Sequence, residues 1–183
     1  AEFARKHFET YVRNGQKAFK ADRPAQALSL FENAILTAKE TGPFRRYLSP
    51  LYRYARESAY KAGDLQKSLE YSQSLTTLMA QDKPDTEDHG ESLLNTGLLH
   101  AKLEAYEKAV PLLEEAVEIL ANLESDVKHA SALADLGVIL ENATEYDRAL
   151  VRFRSAASLS DALSKDELLA RQYVNIGRIY DLR

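Results

Sequence analysis

The chain has 183 residues, 24 basic against 28 acidic for a net charge of −4, with seven glycines, five prolines and no cysteine. That balance excludes the basic face that duplex nucleic acid requires, and the missing cysteines exclude disulfides and thiolate metal sites while leaving the redox compartment open. Few helix breakers among abundant Ala, Leu, Glu and Lys predict an all-α protein. No run approaches the roughly 18 apolar residues of a membrane span, and no signal-like segment opens the chain, so no membrane partner and a cytoplasmic location are expected.

Phe8, Tyr11, Val12, Gly15, Ala18 and Phe19 recur at three- and four-residue steps and predict a first helix over Phe3–Ala21. Asp22-Arg23-Pro24 breaks it, and Pro24 opens the second, Ala25–Lys39, where its missing N–H costs nothing. Thr41-Gly42-Pro43 stops that helix. The third runs from Phe44 or Leu48 to Ala62, the turn is Gly63-Asp64, and the fourth is Leu65–Met79. Gln81–Ser92 is polar and predicts the longest connection, leading into a helix start whose acids, Asp85, Glu87 and Asp88, complement the helix dipole. Helices five to nine follow at about Glu91–Leu103, Tyr106–Leu120, Ser125 or Asp126 to Leu140, Glu145–Leu159 and Asp166–Leu182. Short connections predict antiparallel neighbours.

A period organises these helices. Ala27, Ser68, Ala109 and Ala149 follow one another at steps of 41, 41 and 40 residues, each succeeded by an aliphatic residue. Twelve residues before each, and once more after the last, the first helix of a pair carries Gly15, Arg56, Gly97, Gly137 and Gly177. Glycine costs a helix interior roughly 1 kcal/mol relative to alanine, so four at one phase imply that the partner helix lies against this backbone. Phe31, Leu113 and Phe153 are expected to reach the next pair, because no pair buries both its apolar faces alone. Arg56 breaks the series. A one-residue slip placing Ala55 at the contact, compensated at Gly63, is preferred over an outward-reaching Arg56, and the second pair is expected to pack most loosely.

The stretches Asn95–Ala116 and Asp135–Ala157, with Tyr173–Tyr180, resemble the tetratricopeptide repeat (TPR), whose signature couples Gly and Tyr on a first helix to Ala, an aromatic and Ala on the second. The resemblance covers nearly the whole chain. The period of 40–41 rather than about 34 is similar to the long-repeat branch of kinesin light chains and Pins-type adaptors. It implies a right-handed α–α superhelix, a TPR-like solenoid of four helix pairs plus one terminal helix. One array is expected over 1–183, with repeats near 8–43, 48–84, 90–124, 129–163 and a partial one at 168–183. Ala1 in place of Met, and the apolar Tyr173–Tyr180, favour a piece cut from a longer array over a capping helix.

In that family the first helices bind an extended or helical peptide on a concave face. By register the groove residues would be Arg13, Gln16 and Lys20, then Arg53, Tyr54, Glu57, Tyr60 and Lys61. The later pairs would add Asn95, Leu98 and Lys102, then Asp135, Val138, Glu141 and Asn142, then Arg171, Asn175 and Arg178. Asn95 and Asn175 lie two residues before a glycine, where long-repeat relatives hold a peptide backbone, since an amide both donates and accepts. Asp135 interrupts that ladder. Arg13, Lys20, Arg53 and Lys61 suit an acidic peptide, and Asp135 and Glu141 basic residues, a polarity that would orient a partner. The family's carboxylate clamp for chaperone tails is absent: Val12, Gln16, Tyr54, Glu91 and Asn95 hold its places. Of the tyrosines 47, 52, 54 and 60, most are expected in the core, with Tyr54 and Tyr60 as surface anchors.

His7, His89, His100 and His129 form no helical metal pair, and neither a phosphate loop nor a nucleophile elbow is present. No cofactor, metal or catalysis is expected. The expected partner is a protein or peptide, bound by a scaffold, with no nucleic acid. The alternative is a structural module that self-associates through the terminal helix or supports a further domain.

Overall fold

The computed structural model describes residues 2–123 and 126–183. Its elements are α1 (Glu2–Lys20), α2 (Pro24–Glu40), a 3-10 segment (Gly42–Tyr47), α3 (Leu48–Lys61), α4 (Leu65–Asp82), α5 (Glu87–Lys102), α6 (Tyr106–Asn122), α7 (Asp126–Asn142), α8 (Tyr146–Ala162) and α9 (Asp166–Asp181). They form two compact units, Ala1–Asp82 and Lys83–Arg183. In the first, α1 packs on α2, α2 on α3 and α3 on α4; in the second, each of α5 to α8 packs on its successor and α7 also touches α9.

Gln81–Ser92 is not the long connection its polarity implies. Helix α4 runs on to Asp82 and α5 starts at Glu87, because Thr86 takes an extended backbone and its hydroxyl accepts from the His89 N–H at 3.4 Å. The acids Glu87 and Asp88 lie in the first turn of α5, at the helix start where they were expected, while Asp85 precedes it. The possible start of α7 at Ser125 lies outside the described residues.

Each turn within a pair is built alike. Asp22, Gly63, Glu104 and Thr144 occupy one phase of the repeat and all have positive φ, from 52° to 82°. The next residue closes the turn by donating its N–H five residues back: Arg23 to Ala18, Asp64 to Ala59, Ala105 to His100 and Glu145 to Leu140, at 2.8–2.9 Å. This is the Schellman closure, which satisfies carbonyls at the helix end. Only one of the four positions is glycine.

The glycine seats are filled within each pair. A Cβ on Gly15 would lie 2.8 Å from the Phe31 ring, on Gly97 2.1 Å from Leu113, and on Gly137 2.5 Å from Phe153. These large side chains therefore sit on the first helix of their own pair, not only on the next as expected. Phe31 does both, since it also stacks on Tyr54 of α3 at 4.9 Å. At Gly177, on α9, nothing lies within 4 Å.

The second pair solves the same contact differently. Gly63 keeps the common turn phase, and the Ser68 hydroxyl donates to the Arg56 carbonyl at 3.1 Å, so the register is not slipped although Ala55 is fully buried. Ser72 stands where the other pairs carry Phe or Leu, and it is fully buried. The small residue has moved to the second helix and the large one to the first: the Nη1 atom of Arg56 is itself buried. Ser68, Ser72 and Ser58 are all inaccessible to solvent, so this pair is polar inside.

Second helices are tied across pairs by one recurring clasp. Glu32 accepts from Lys67 at 2.8 Å and from the Tyr71 hydroxyl at 3.0 Å. Two repeats on, Glu114 accepts from Arg148 at 2.9 Å and Arg152 at 3.4 Å. Burial and the Glu32 carboxylate push the Tyr71 phenol well above its ordinary value.

Candidate functional site

In the first unit, the first helices α1 and α3 and the 3-10 segment hold ten of the unit's thirteen basic residues and only three of its nine acidic ones. Arg13 and Lys20 are exposed on α1, while Gln16 and, on α3, Arg53 are half-buried. The two helices meet where the Phe19 ring lies edge-on to Tyr54 at 5.5 Å and under the Lys61 ammonium at 4.4 Å. Lys61 also lies 3.6 Å from Glu57. Tyr54, stacked on Phe31, is committed to packing and is half-buried; Tyr60 is 43 % exposed. Tyr52 is in the core and Tyr47 at its edge.

One feature of this unit carries no sequence motif. A cleft of about 780 Å³ opens between the first half of α1 and the 3-10 segment, lined by Arg5, Lys6, Phe8, Phe44, Arg46 and Tyr47 among others. Phe8 and Phe44 stack in parallel at 4.5 Å, and the Arg46 guanidinium lies 5.0 Å over the Tyr47 ring.

In the second unit, α5, α7 and α9 are joined through polar clasps. Lys128 of α7 pairs with both Glu87 and Glu91 of α5. Arg178 of α9 grips Glu141 of α7 through two bonds of 2.6 Å, a planar fork matched to a carboxylate. Arg178 also donates to the Asn175 side chain at 3.3 Å, and Asn175 donates to Gln172 at 3.4 Å. Asn175 is 7 % exposed and Gln172 1 % exposed. Asn175 is thus enclosed by its own helix, whereas Asn95, half-buried, donates to the Glu91 carbonyl at 2.7 Å, and among the described residues no hydrogen bond is made to its oxygen. Lys102 and Asn142 are exposed at the ends of α5 and α7, and Leu98 and Val138 are half-buried.

Asp135 lies between the two clasps. Lys128, Asp135 and Asn142 are spaced by seven residues along α7 and share one face. Burial raises the Asp135 pKa above its ordinary value, with the charge of Arg171 of α9 as the smaller, opposing cause. Among the described residues no hydrogen bond or ion pair is made to its carboxylate. Arg171 is instead 3.4 Å from Glu167 on its own helix. The sequence identified Asp135, Glu141 and Arg178 but not Lys128 or Gln172. Lys128 was detectable as the opposite charge about one repeat beyond Glu87 and Glu91; Gln172 carried no signal. Among the described residues no group of three or more His, Asp or Glu is placed to hold a metal ion, and no helix is long and apolar enough to cross a membrane.

No family model matches the sequence, and no curated protein matches it. Solved structures do share the fold. BtubC from P. vanneervenii is 18% identical, with 98% of this chain and 81% of that one covered and a TM-score of 0.75. A signal-transduction ATPase with a tetratricopeptide repeat sensor from Pyrococcus horikoshii is 13% identical, covering 94% of this chain and 27% of that one, with a TM-score of 0.79. A Rap protein complexed with Competence and Sporulation Factor is 16% identical, covering 95% and 48%, with a TM-score of 0.65. The fold is therefore that of the TPR-like repeat proteins, all-α and built from stacked helix pairs.

Proposed function

We propose that this TPR-like chain is a protein-interaction scaffold that binds a peptide segment of its partner along the first helices of its second unit, α5, α7 and α9. The observation that carries this reading is the arrangement of α5, α7 and α9. Ion-pair clasps join the three helices, Asn95 and Asn142 present amides on them, and among the described residues the Asp135 carboxylate takes no hydrogen bond or ion pair. A wall that is rigid before binding loses little entropy on binding. The basic α1–α3 face offers a second recognition surface with Arg13, Lys20 and Tyr60. The structure of a fold relative in complex with another molecule supports the same use of the fold.

The test is selection of random dodecapeptides on the immobilised chain, followed by amide shift mapping with the recovered peptides. Shifts are expected at Asn95, Asp135 and Asn142, and Asn95→Ala is expected to weaken binding with the fold unchanged. Shifts confined to second helices would rule the reading out. Asn175→Ala is not a clean probe, because that side chain is bonded to Arg178 and Gln172.

A second reading, self-association through the terminal helix, has its own support. The Gly177 seat is open, and Tyr173, Val174 and Tyr180 are each more than half exposed beside it. Sedimentation across a concentration series decides this: a constant monomer mass removes it.

A further inference from the structure

We propose that Asp135 is the seat for a lysine or arginine side chain of the bound peptide, making it the specificity-determining residue of the second unit. The inference rests on the peptide-binding reading and adds the chemistry of the segment. Three observations carry it. The carboxylate is half-buried on the face of α7 that lies between the two clasps. The neighbouring carboxylates on this surface are already neutralised, Glu87 and Glu91 by Lys128 and Glu141 by Arg178, whereas Asp135 has no ion pair among the described residues. The unit around it holds nineteen acidic against eleven basic residues, a net −8, which draws cations towards it.

An ionised carboxylate withdrawn from water without a partner is unfavourable, and burial accordingly raises its pKa. A carboxylate only accepts hydrogen bonds, so its complement is a donor, and a full positive charge compensates more than a neutral amide does. Arg171 does not fill this role: its side chain is 61% exposed and lies against Glu167. At the equivalent phase α5 carries Asn95, which a neutral peptide group satisfies; the exchange to Asp on α7 selects for charge at one point along the segment.

The experiment uses the full chain and the random dodecapeptide library. Peptides selected by the parent are expected to carry Lys or Arg at one fixed position. Replacing that residue by norleucine in the best peptide should weaken binding about tenfold or more on the parent, as loss of a charge-assisted bond does, and less than about twofold on Asp135→Asn. Peptides recovered without a basic column, or a norleucine effect of equal size on Asp135→Asn, would overturn the proposal while leaving the scaffold reading standing. Recovery of no peptide by the parent would sink both. A thermal melt of Asp135→Asn no lower than that of the parent excludes misfolding as the cause of any loss.

Discussion

A leucine at position 137 would need the space that the Phe153 ring fills 2.5 Å from the nearest possible Cβ. Gly137→Leu should therefore destabilise by about 3 kcal/mol or more through overpacking, read as a lowered denaturant midpoint. The same family of positions supplies its own control. Gly177 meets nothing within 4 Å, so Gly177→Ala should stabilise by about 0.5–1 kcal/mol, the helix propensity of alanine being the only change felt. A destabilised Gly177→Ala would contradict the open seat. At Asp135 the sign follows from burial. A carboxyl whose native pKa is raised contributes stability that is present below its unfolded value and lost as the pH rises through the native one. Asp135→Asn should therefore melt higher than the parent at pH 7, with the gap closing as the pH falls towards the ordinary aspartate value of 3.8. A gap independent of pH would mean that the carboxylate is adequately solvated.

The elements themselves were largely legible because two signals agreed. Apolar periodicity placed nine helices, and the forty-residue period placed their contacts; among the described residues those helices stand where expected within a few positions. Gln81–Ser92 looked like a loop because helix starts and loops share polar composition, and only the Thr86 cap distinguishes them. Arg56 looked like a slip because the compensating residue, Ser72, lies sixteen positions away on the partner helix. For the candidate site, register located the polar positions but not their availability. Asn95 and Asn175 are equivalent in sequence, yet the second is enclosed by Gln172 and Arg178. The turns give a direct test at this scale. Thr144 is β-branched and sits at φ 62°, a conformation that glycine adopts without strain. Thr144→Gly should raise stability by about 0.5–1 kcal/mol; a loss of similar size would show that its side chain contributes more than its backbone costs.

At the scale of the molecule, repeat proteins draw stability from neighbouring pairs rather than from one central core. The division into two compact units predicts that Lys83–Arg183 expressed alone folds, with a helical spectrum and a cooperative melt. A disordered fragment would show that the unit depends on contacts beyond its own. Charge differs as sharply as contact does: the first unit carries a net +4, thirteen basic against nine acidic residues, and the second a net −8. Partners recognised by opposite charge will be sorted between the units before any side chain is read.

The Glu32 and Glu114 clasps occupy the same phase two repeats apart. Lengthening this repeat series should therefore proceed by copying blocks of two pairs. A single inserted pair would put a carboxylate opposite whatever the odd-numbered pair happens to offer, whereas a double insertion delivers each acid to a cation that already fits it.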